Sequence, residues 1–184
     1  MLFDNLEALL KIEPYTHDEE TKNEFILPAL KEVCQHHYEN CLPYQTYCKK
    51  QHFDPSVFSN CEDIPFLPTS IFKDALLRSV SKDEVFRVIT SSATSTGRPS
   101  RIALDRQNSK RQSRMFNKVV LQRLGNQRRR FLVLDIPESL SRTSTVNARS
   151  STIKSLLFCA SESENCIIDN QGMLELDQNK AISF

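Results

Sequence analysis

From Glu84 onward the residues fall into one order: apolar strand, hydroxyl-rich loop, short strand, long amphipathic helix, apolar strand. That order is the signature of a layered α/β arrangement. Val85 to Thr90 (Val-Phe-Arg-Val-Ile-Thr) is rich in β-branched residues and reads as a strand. A second short strand is expected at Arg101 to Leu104. Asp105 is placed to cap a helix that carries Met115, Phe116, Val119, Val120, Leu121 and Leu124 on one broad stripe. Gly125 stands where a glycine ends a helix. Phe131 to Ile136 is nearly all apolar, the pattern of a strand covered on both faces. Strand, helix, strand in that order predicts a crossover unit in a mostly parallel sheet.

The residues before this point have a different character. Residues 1–60 read as a helical N-terminal region, and 61–184 as a partial α/β core. Leu2, Phe3, Leu6, Leu9 and Leu10 recur at helical spacing. Thr16 is a candidate cap for a second helix, with Asp18, Glu19 and Glu20 in its first turn, where the helix dipole favours negative charge. Pro28 is expected to kink or split that helix, since proline removes a helical hydrogen bond. Ile64 to Lys73 is proline-punctuated and apolar, an ordered connection, and Ser70 can start a short helix through Leu77. Toward the end, Leu156 to Ala160 is a candidate strand. Cys166–Ile168 and Met173–Leu176 are expected to form a hairpin around Asp169-Asn170-Gln171-Gly172. No closing element is evident before Phe184.

Charge and cysteine usage narrow the functions open to the chain. The formal net charge is +1, so no global field points to nucleic acid or an anionic membrane. The basic residues Lys110, Arg111, Arg114 and Arg128 to Arg130 read as a solvated helix face and a strand entrance. No apolar run approaches the ~20 residues of a membrane-spanning helix, and the acidic start, Met-Leu-Phe-Asp-Asn-Leu-Glu, lacks the basic and apolar parts of a secretory signal. The default compartment is therefore the cytoplasm. The six cysteines form no Cys-x-x-Cys pair. Cys34, His36, His37 and Cys41 form an imaginable ligand set, but reduced, buried thiols are the simpler reading and no metal site is expected. His17, His36, His37 and His52 have no recognisable catalytic spacing, and Glu138 reads as a loop carboxylate.

The segment that carries chemistry runs from Thr90 to Arg101. Ser91, Ser92, Thr94, Ser95 and Thr96, then Gly97 and Arg101, follow directly on a buried strand. Hydroxyl and backbone N–H groups gathered in one loop suit phosphate oxygens, and Arg98 and Arg101 add positive charge. Such a cluster is also what an ordinary solvated loop looks like. It is no Walker loop. That motif needs a second glycine followed by Lys and Ser or Thr, and the chain's three glycines are Gly97, Gly125 and Gly172.

Thr90-Ser91-Ser92-Ala93-Thr94-Ser95 resembles the Thr-Ser-Ser-Gly-Thr-Thr loop of the LuxE-like acyl-protein synthetases, relatives of the adenylate-forming acyl- and aryl-CoA ligases. Ile64 to Lys73 resembles the proline-rich segment upstream of that loop, and Pro99 to Asp105 its continuation. Arg130 to Pro137 resembles the next core strand and Ala148-Arg149-Ser150 a later segment, so the likeness spans roughly residues 60 to 180 in consistent order. The resemblance implies part of the N-terminal domain of an adenylate-forming enzyme. It implies ATP and Mg²⁺ as cofactors, a carboxylic (fatty) acid substrate activated as an acyl-adenylate, and a thiol acceptor on a protein or carrier. It assigns the ATP phosphates to the Ser/Thr loop. Two departures stand out. Ala93 replaces the family's loop glycine, and the family's adenine-gripping segments, lid lysine and acceptor cysteine are expected beyond Phe184. No catalytic residue is therefore assigned here. The chain is expected to be an incomplete N-terminal portion, inactive alone and completed by a C-terminal half or an acyl-reductase partner. The alternative is a non-catalytic binding or regulatory subunit that keeps the fold.

Overall fold

The computed structural model describes residues 3–91, 97–137 and 145–184. The N-terminal region is helical. Helix α1 (Asp4–Leu9) lies against the long α2 (Glu19–Asn40), and α3 (Leu42–Lys50) packs on α2 from the other end. The carboxylate of Glu32 on α2 accepts the N–H groups of Asn5 (2.9 Å) and Leu6 (3.0 Å), satisfying two of the orphan donors that open α1. Asp18, not Thr16, caps α2 by accepting from the Thr21 N–H at 2.9 Å. The Thr16 hydroxyl instead donates to the carbonyl of Glu13. Pro28 does not split the helix: α2 runs through it as one 22-residue element. Proline forfeits one i→i−4 bond, and α1 and α3 packed along α2 supply the support that propensity lacks. The chain turns at the extended Cys41, and Pro43 occupies the first turn of α3, where its missing N–H costs nothing.

The three cysteines spaced seven apart, Cys34, Cys41 and Cys48, are all buried and all free. With Ala29 and Phe58 they form the core of this region. Burial pushes the thiols of Cys34 and Cys48 up. It does the same to the Tyr44 hydroxyl that hydrogen-bonds to both. These are inert packing groups rather than nucleophiles. Among the described residues no three His, Cys, Asp or Glu side chains gather as a metal site.

A proline-rich connection containing the one-turn helix α4 (Ile71–Asp74) leads into the α/β part. Strand β1 (Val85–Thr90) pairs antiparallel with β2 (Arg101–Asp105) on one side and parallel with β4 (Thr145–Asn147) on the other. Strand β3 (Arg129–Val133) pairs parallel with β5 (Ala160–Asn165), and β6 (Ile167–Asn170) forms an antiparallel hairpin with β7 (Met173–Leu176). Helix α5 (Arg106–Leu124) follows β2, α6 (Ala148–Leu156) follows β4, and α7 (Gln178–Ser183) ends the chain.

The α/β class is as expected, but the sheets are mixed rather than mostly parallel. Strand β2 returns beside β1 as a hairpin partner, and among the described residues β3 pairs with β5 and not with β1 or β2. Four local expectations also change. The apolar strand sits earlier, at Arg129–Val133, and one of its faces is open: Val133 and Asp135 are buried while Leu132 and Leu134 are exposed. Residues 157–159 form a 3₁₀ turn closing α6, and the strand lies just beyond them. That strand, β5, is polar (Ala-Ser-Glu-Ser-Glu-Asn) and carries no hydrophobic period. Asp177 caps the unexpected α7 through the Lys180 N–H. The predicted hairpin is present. Gln171 (φ 55°) and Gly172 (φ 89°) form its two-residue turn, the left-handed pair such a turn requires.

The predicted helix boundaries of α5 hold. The Asp105 carboxylate accepts from the Asn108 N–H at 2.7 Å, and Gly125 takes φ 78° at the other end. Arg129 adds a second C-terminal device, donating through Nε (3.0 Å) and Nη2 (2.7 Å) to the Leu124 carbonyl. The expected basic face is also spent internally. Arg130 pairs with Glu162 at 3.1 Å, and Arg111 is buried against Glu7 at 2.7 Å rather than solvated. No helix among the described residues is long and apolar enough to cross a membrane.

Candidate functional site

The hydroxyl-rich loop is the connection of a β-hairpin. Thr90 pairs with Arg101 in the β1–β2 ladder, and the pairing continues one step further. The Ser91 N–H donates to the Ser100 carbonyl (3.1 Å), and the Ser100 N–H donates back to Ser91 Oγ (2.9 Å). Residues 91 and 100 therefore close the base of the loop. Of the expected phosphate-binding residues, Ser91, Gly97 and Arg101 are described and are all exposed; Ser92, Thr94, Ser95 and Thr96 lie outside the described residues, as does Ala93. Gly97 takes φ 70°, a left-handed value that an L side chain adopts only with strain. Arg98 lies 3.2 Å from Asp74, which draws its charge toward α4.

Parallel pairing gives this loop its setting. Thr90 is in register with Asn147, so β1 and β4 end side by side. The loop leaves one strand and the N-terminus of α6 leaves the other, at the carboxyl edge where open α/β sheets bind ligands. A helix N-terminus presents unpaired N–H groups and a partial positive charge, both suited to an anion.

Arg149, in the first turn of α6, is held by Asp135 just past the end of β3. Its Nη2 donates to Oδ1 at 3.1 Å, while Nε lies 2.9 Å from Oδ2 as an ion-pair contact without hydrogen-bond geometry. Asp135 is 3% exposed, its Oδ1 also accepts the Ile136 N–H, and its carbonyl accepts from Asn165 Nδ2 at 2.9 Å. This cluster ties the β3–β5 sheet to the start of α6, beside the loop. Sequence reading noticed Arg149 only as part of a segment and did not single out Asp135. The available signal was an acidic residue inside an otherwise apolar run, which is rarely buried without a partner.

The second region that sequence reading missed is the junction of the helical region with α5. His37 donates or accepts through Nδ1 to Ser79 Oγ at 2.6 Å, and its imidazole pKa is lowered, first by burial and then by the neighbouring His36. Arg111 is buried close by, its guanidinium 5.0 Å from the Phe3 ring centroid. No spacing rule could join residues this far apart in sequence.

Comparison with known proteins gives these positions a context. The family model described as "Acyl-protein synthetase, LuxE" matches residues 3–183. A long-chain-fatty-acid–luciferin-component ligase of Photorhabdus luminescens is 33% identical over 92 residues, covering 50% of this chain and 74% of the relative. Ligases of the same description from Vibrio harveyi and Aliivibrio fischeri are 40% and 35% identical over 77 residues, 42% of this chain. The matched stretch is 20% of each of those two relatives, so most of their length has no counterpart in the alignment. No solved structure matches the chain significantly.

Proposed function

The chain belongs to the LuxE acyl-protein synthetase family, and from that premise we propose that it carries the phosphate-binding part of an ATP-dependent, adenylate-forming acyl ligase. The observation that carries the reading is the seat of the 91–100 loop, closed at its base and standing beside the α6 N-terminus at the carboxyl ends of β1 and β4. The substrate is a carboxylic acid, and a fatty acid is favoured by what the relatives are named for. Attack of the acid on the α-phosphate of ATP would give an acyl-adenylate and pyrophosphate, and the acyl group would pass to a thiol on a protein or carrier. The residues of this chain would bind and orient phosphate oxygens. Ser91, Ser92, Thr94, Ser95 and Thr96 would supply hydroxyl donors, Gly97 a close backbone approach, and Arg101 charge at the rim. Arg149 would be a positioning residue, fixed by Asp135 at the start of α6.

Mg²⁺ commonly keeps its waters and is bound largely through substrate phosphates, with one or two carboxylates. Among the described residues no three His, Cys, Asp or Glu side chains gather that could hold the ion by themselves. The ion would be carried by the triphosphate and supply charge neutralisation there. Acyl transfer and the lid chemistry would belong to further polypeptide, whether a C-terminal half or a partner such as an acyl reductase.

Thermal unfolding with and without Mg-ATP tests the reading. A ligand at about 100 times its Kd stabilises the native state by about 2.7 kcal/mol. The expected result is a clear rise in midpoint that the double variant Thr94→Ala/Ser95→Ala loses. An unchanged midpoint at saturating nucleotide would count against the loop as a phosphate site. One sequence feature favours the second reading, a binding subunit that has retired catalysis: Ala93 stands where the family has glycine. If Ala93→Gly creates nucleotide binding that the natural chain lacks, the retired reading is the better one.

A further inference from the structure

Helices α5 and α6 contain no carboxylate. The chain sets 24 Lys and Arg against 23 Asp and Glu, yet α5 holds six of the cations, α6 holds two, and neither holds an Asp or Glu. Residues 92–96 and 138–144 add one Glu and one Arg, which leaves that excess unchanged. The cations of α5 divide by face. Arg111 and Lys118 meet the helical region and are spent there, on Glu7 and on Glu13 with the carbonyls of Lys11 and Ile12. Arg106, Lys110 and Arg114 recur every fourth residue, so they line one exposed stripe roughly 12 Å long. Lys110 makes no hydrogen bond or ion pair among the described residues. Arg106 has only the ring of Phe86, 4.4 Å from its guanidinium. Arg114 is 57% exposed and shares Glu7 at 3.3 Å. Asp105, the nearest carboxylate in sequence, is engaged in capping α5.

A groove of about 510 Å³ runs between α5 and α6 over β1. Ser109, Ser113 and Asn117 form its α5 wall, and the basic stripe adjoins them around the helix. The charged groups of the groove are Arg87 and Lys154, and no carboxylate lines it among the described residues. Arg87 is half-buried, and its guanidinium meets the Phe86 ring at 5.3 Å but no carboxylate or hydrogen-bond acceptor of the described residues. The apolar lining comes from Ile89 and Leu104 on the strands, Phe116 on α5 and Phe158 just after α6. Phe158 is 54% exposed.

We propose that this groove and its basic ridge dock an acidic, amphipathic segment of a partner protein, its apolar side chains on Ile89, Phe116 and Phe158 and its carboxylates along Arg106, Lys110 and Arg114. The ridge selects the sign of the partner. Carboxylates four residues apart on a helix would match its spacing, and the apolar face of such a helix would cover the groove. The apolar lining and the net charge of +1 favour a peptide over nucleic acid, which needs a concentrated basic surface. The contact requires no ATP, acyl group or thiol and no residue of the Ser/Thr loop, so it stands or falls apart from the ligase reading.

Fluorescence anisotropy of the full 184-residue chain with a labelled two-heptad peptide, Glu-Leu-Ala-Glu-Leu-Leu-Glu repeated, is the test. One control peptide carries Gln for every Glu, a second carries Ser for every Leu, and a third probe is a single-stranded oligonucleotide of equal charge. The acidic peptide is expected to bind saturably at one site, at least about tenfold more tightly than each of the three. Arg106→Glu/Lys110→Glu is expected to weaken it by about tenfold or more. Both positions are exposed, and an acidic residue in the first turn suits the helix dipole, so the variant should fold. Phe158→Ser is expected to weaken the acidic peptide and to leave its Ser-for-Leu control unchanged. Lys49→Glu/Lys50→Glu makes the same charge change on α3 and is expected to leave binding as it is. The proposal is overturned if the acidic peptide shows no saturable binding, or if any of the three controls binds as tightly. It is equally overturned if the ridge variant or Phe158→Ser binds like the natural chain, or if the α3 variant loses as much affinity as the ridge variant. Should the ridge variant fail to fold, the ligand comparison and Phe158→Ser decide alone.

Discussion

The helical N-terminal region and the C-terminal strands bury their apolar side chains to very different degrees. In the first, Ala29, Cys34, Cys41, Cys48 and Phe58 are all buried, and Cys48 is fully enclosed. In the second, Val133, Cys159 and Cys166 are buried, but Leu132, Leu134, Ile168, Met173, Leu174, Leu176 and Ile182 are exposed, more large apolar side chains than the Tyr15, Phe25, Leu42 and Val57 that the helical region leaves open. The N-terminal helices close on one another and are clamped to α5 by Glu7–Arg111 and by Lys118, whose Nζ donates to the carbonyls of Lys11 (2.7 Å) and Ile12 (2.8 Å). Among the described residues β3 with β5 and β6 with β7 form two-stranded sheets, too few strands to bury a face of their own. Stability should therefore reside in the first region, while the second presents surface.

The largest effect expected from this contrast is at Phe58. It is 5% exposed, stacks at 5.4 Å on Phe53 and lies under the Lys31 ammonium at 5.6 Å. Phe58→Ala should cost about 3–5 kcal/mol, the range for removing a buried aromatic ring. Urea unfolding followed by circular dichroism measures it. A loss below about 1 kcal/mol, as an exposed site gives, would mean that the helical region is not the stable part.

A smaller loss is expected at the junction of β2 and α5. Asp105→Ala removes the carboxylate that accepts the Asn108 N–H, and a lost cap of this kind costs about 0.5–2 kcal/mol. Asp105→Asn keeps an acceptor and should recover most of it in the same unfolding assay. If alanine and asparagine behave alike, the cap is not what holds the start of α5.

What sequence reveals follows the same division by range. Strand β1, the Asp105 and Gly125 ends of α5 and the 167–176 hairpin are legible because each is set by neighbours within a few residues: a β-branched run, a capping side chain, a turn dipeptide. The pairing of β1 with β4 is invisible to such rules, because more than fifty residues separate the partners. Strand β5 escapes because it is held by its parallel partner and by the pairs Arg130–Glu162 and Lys180–Glu164, not by an apolar period. The continuity of α2 through Pro28 is a tertiary override of local preference. For the candidate site, composition and resemblance point to the hydroxyl-rich loop. Its position beside α6, and the Asp135–Arg149 contact, become visible only once the sheets are assembled.

The helical region also carries a pH dependence. Burial and His36 lower the His37 pKa, so the folded state takes up a proton less readily than the unfolded chain. Stability then rises with pH: the contribution is fully present above the ordinary imidazole value of 6.5 and is lost as pH falls below it. Glu7 and Asp18 are shifted down from ordinary values of 4.5 and 3.8, held there chiefly by hydrogen bonds from Arg111 and Thr21. Their contributions are lost only at lower pH still, so the interval from 6.5 down to 4.5 reports on His37. The unfolding midpoint should decline across that interval, and His37→Gln should flatten the decline. An equal slope in the variant would remove His37 from the account.

The smallest effect is expected on the exposed face, and there a near-zero result is the informative one. Leu174 is 57% exposed on β7 and Ile182 is 84% exposed on α7. A side chain already in water gives up little when made polar, so Leu174→Ser and Ile182→Ser should each stay within about 0.5 kcal/mol of the natural chain. Exposed apolar side chains, where they adjoin, mark a contact face or an association liability. Unfolding at two protein concentrations separates the cases. If both variants are neutral at each concentration, the contrast between the regions holds and the C-terminal face is free in solution. If either variant is destabilised only at the higher concentration, the face is buried between copies of the chain. The two regions would then be equally packed in the molecule that actually populates solution.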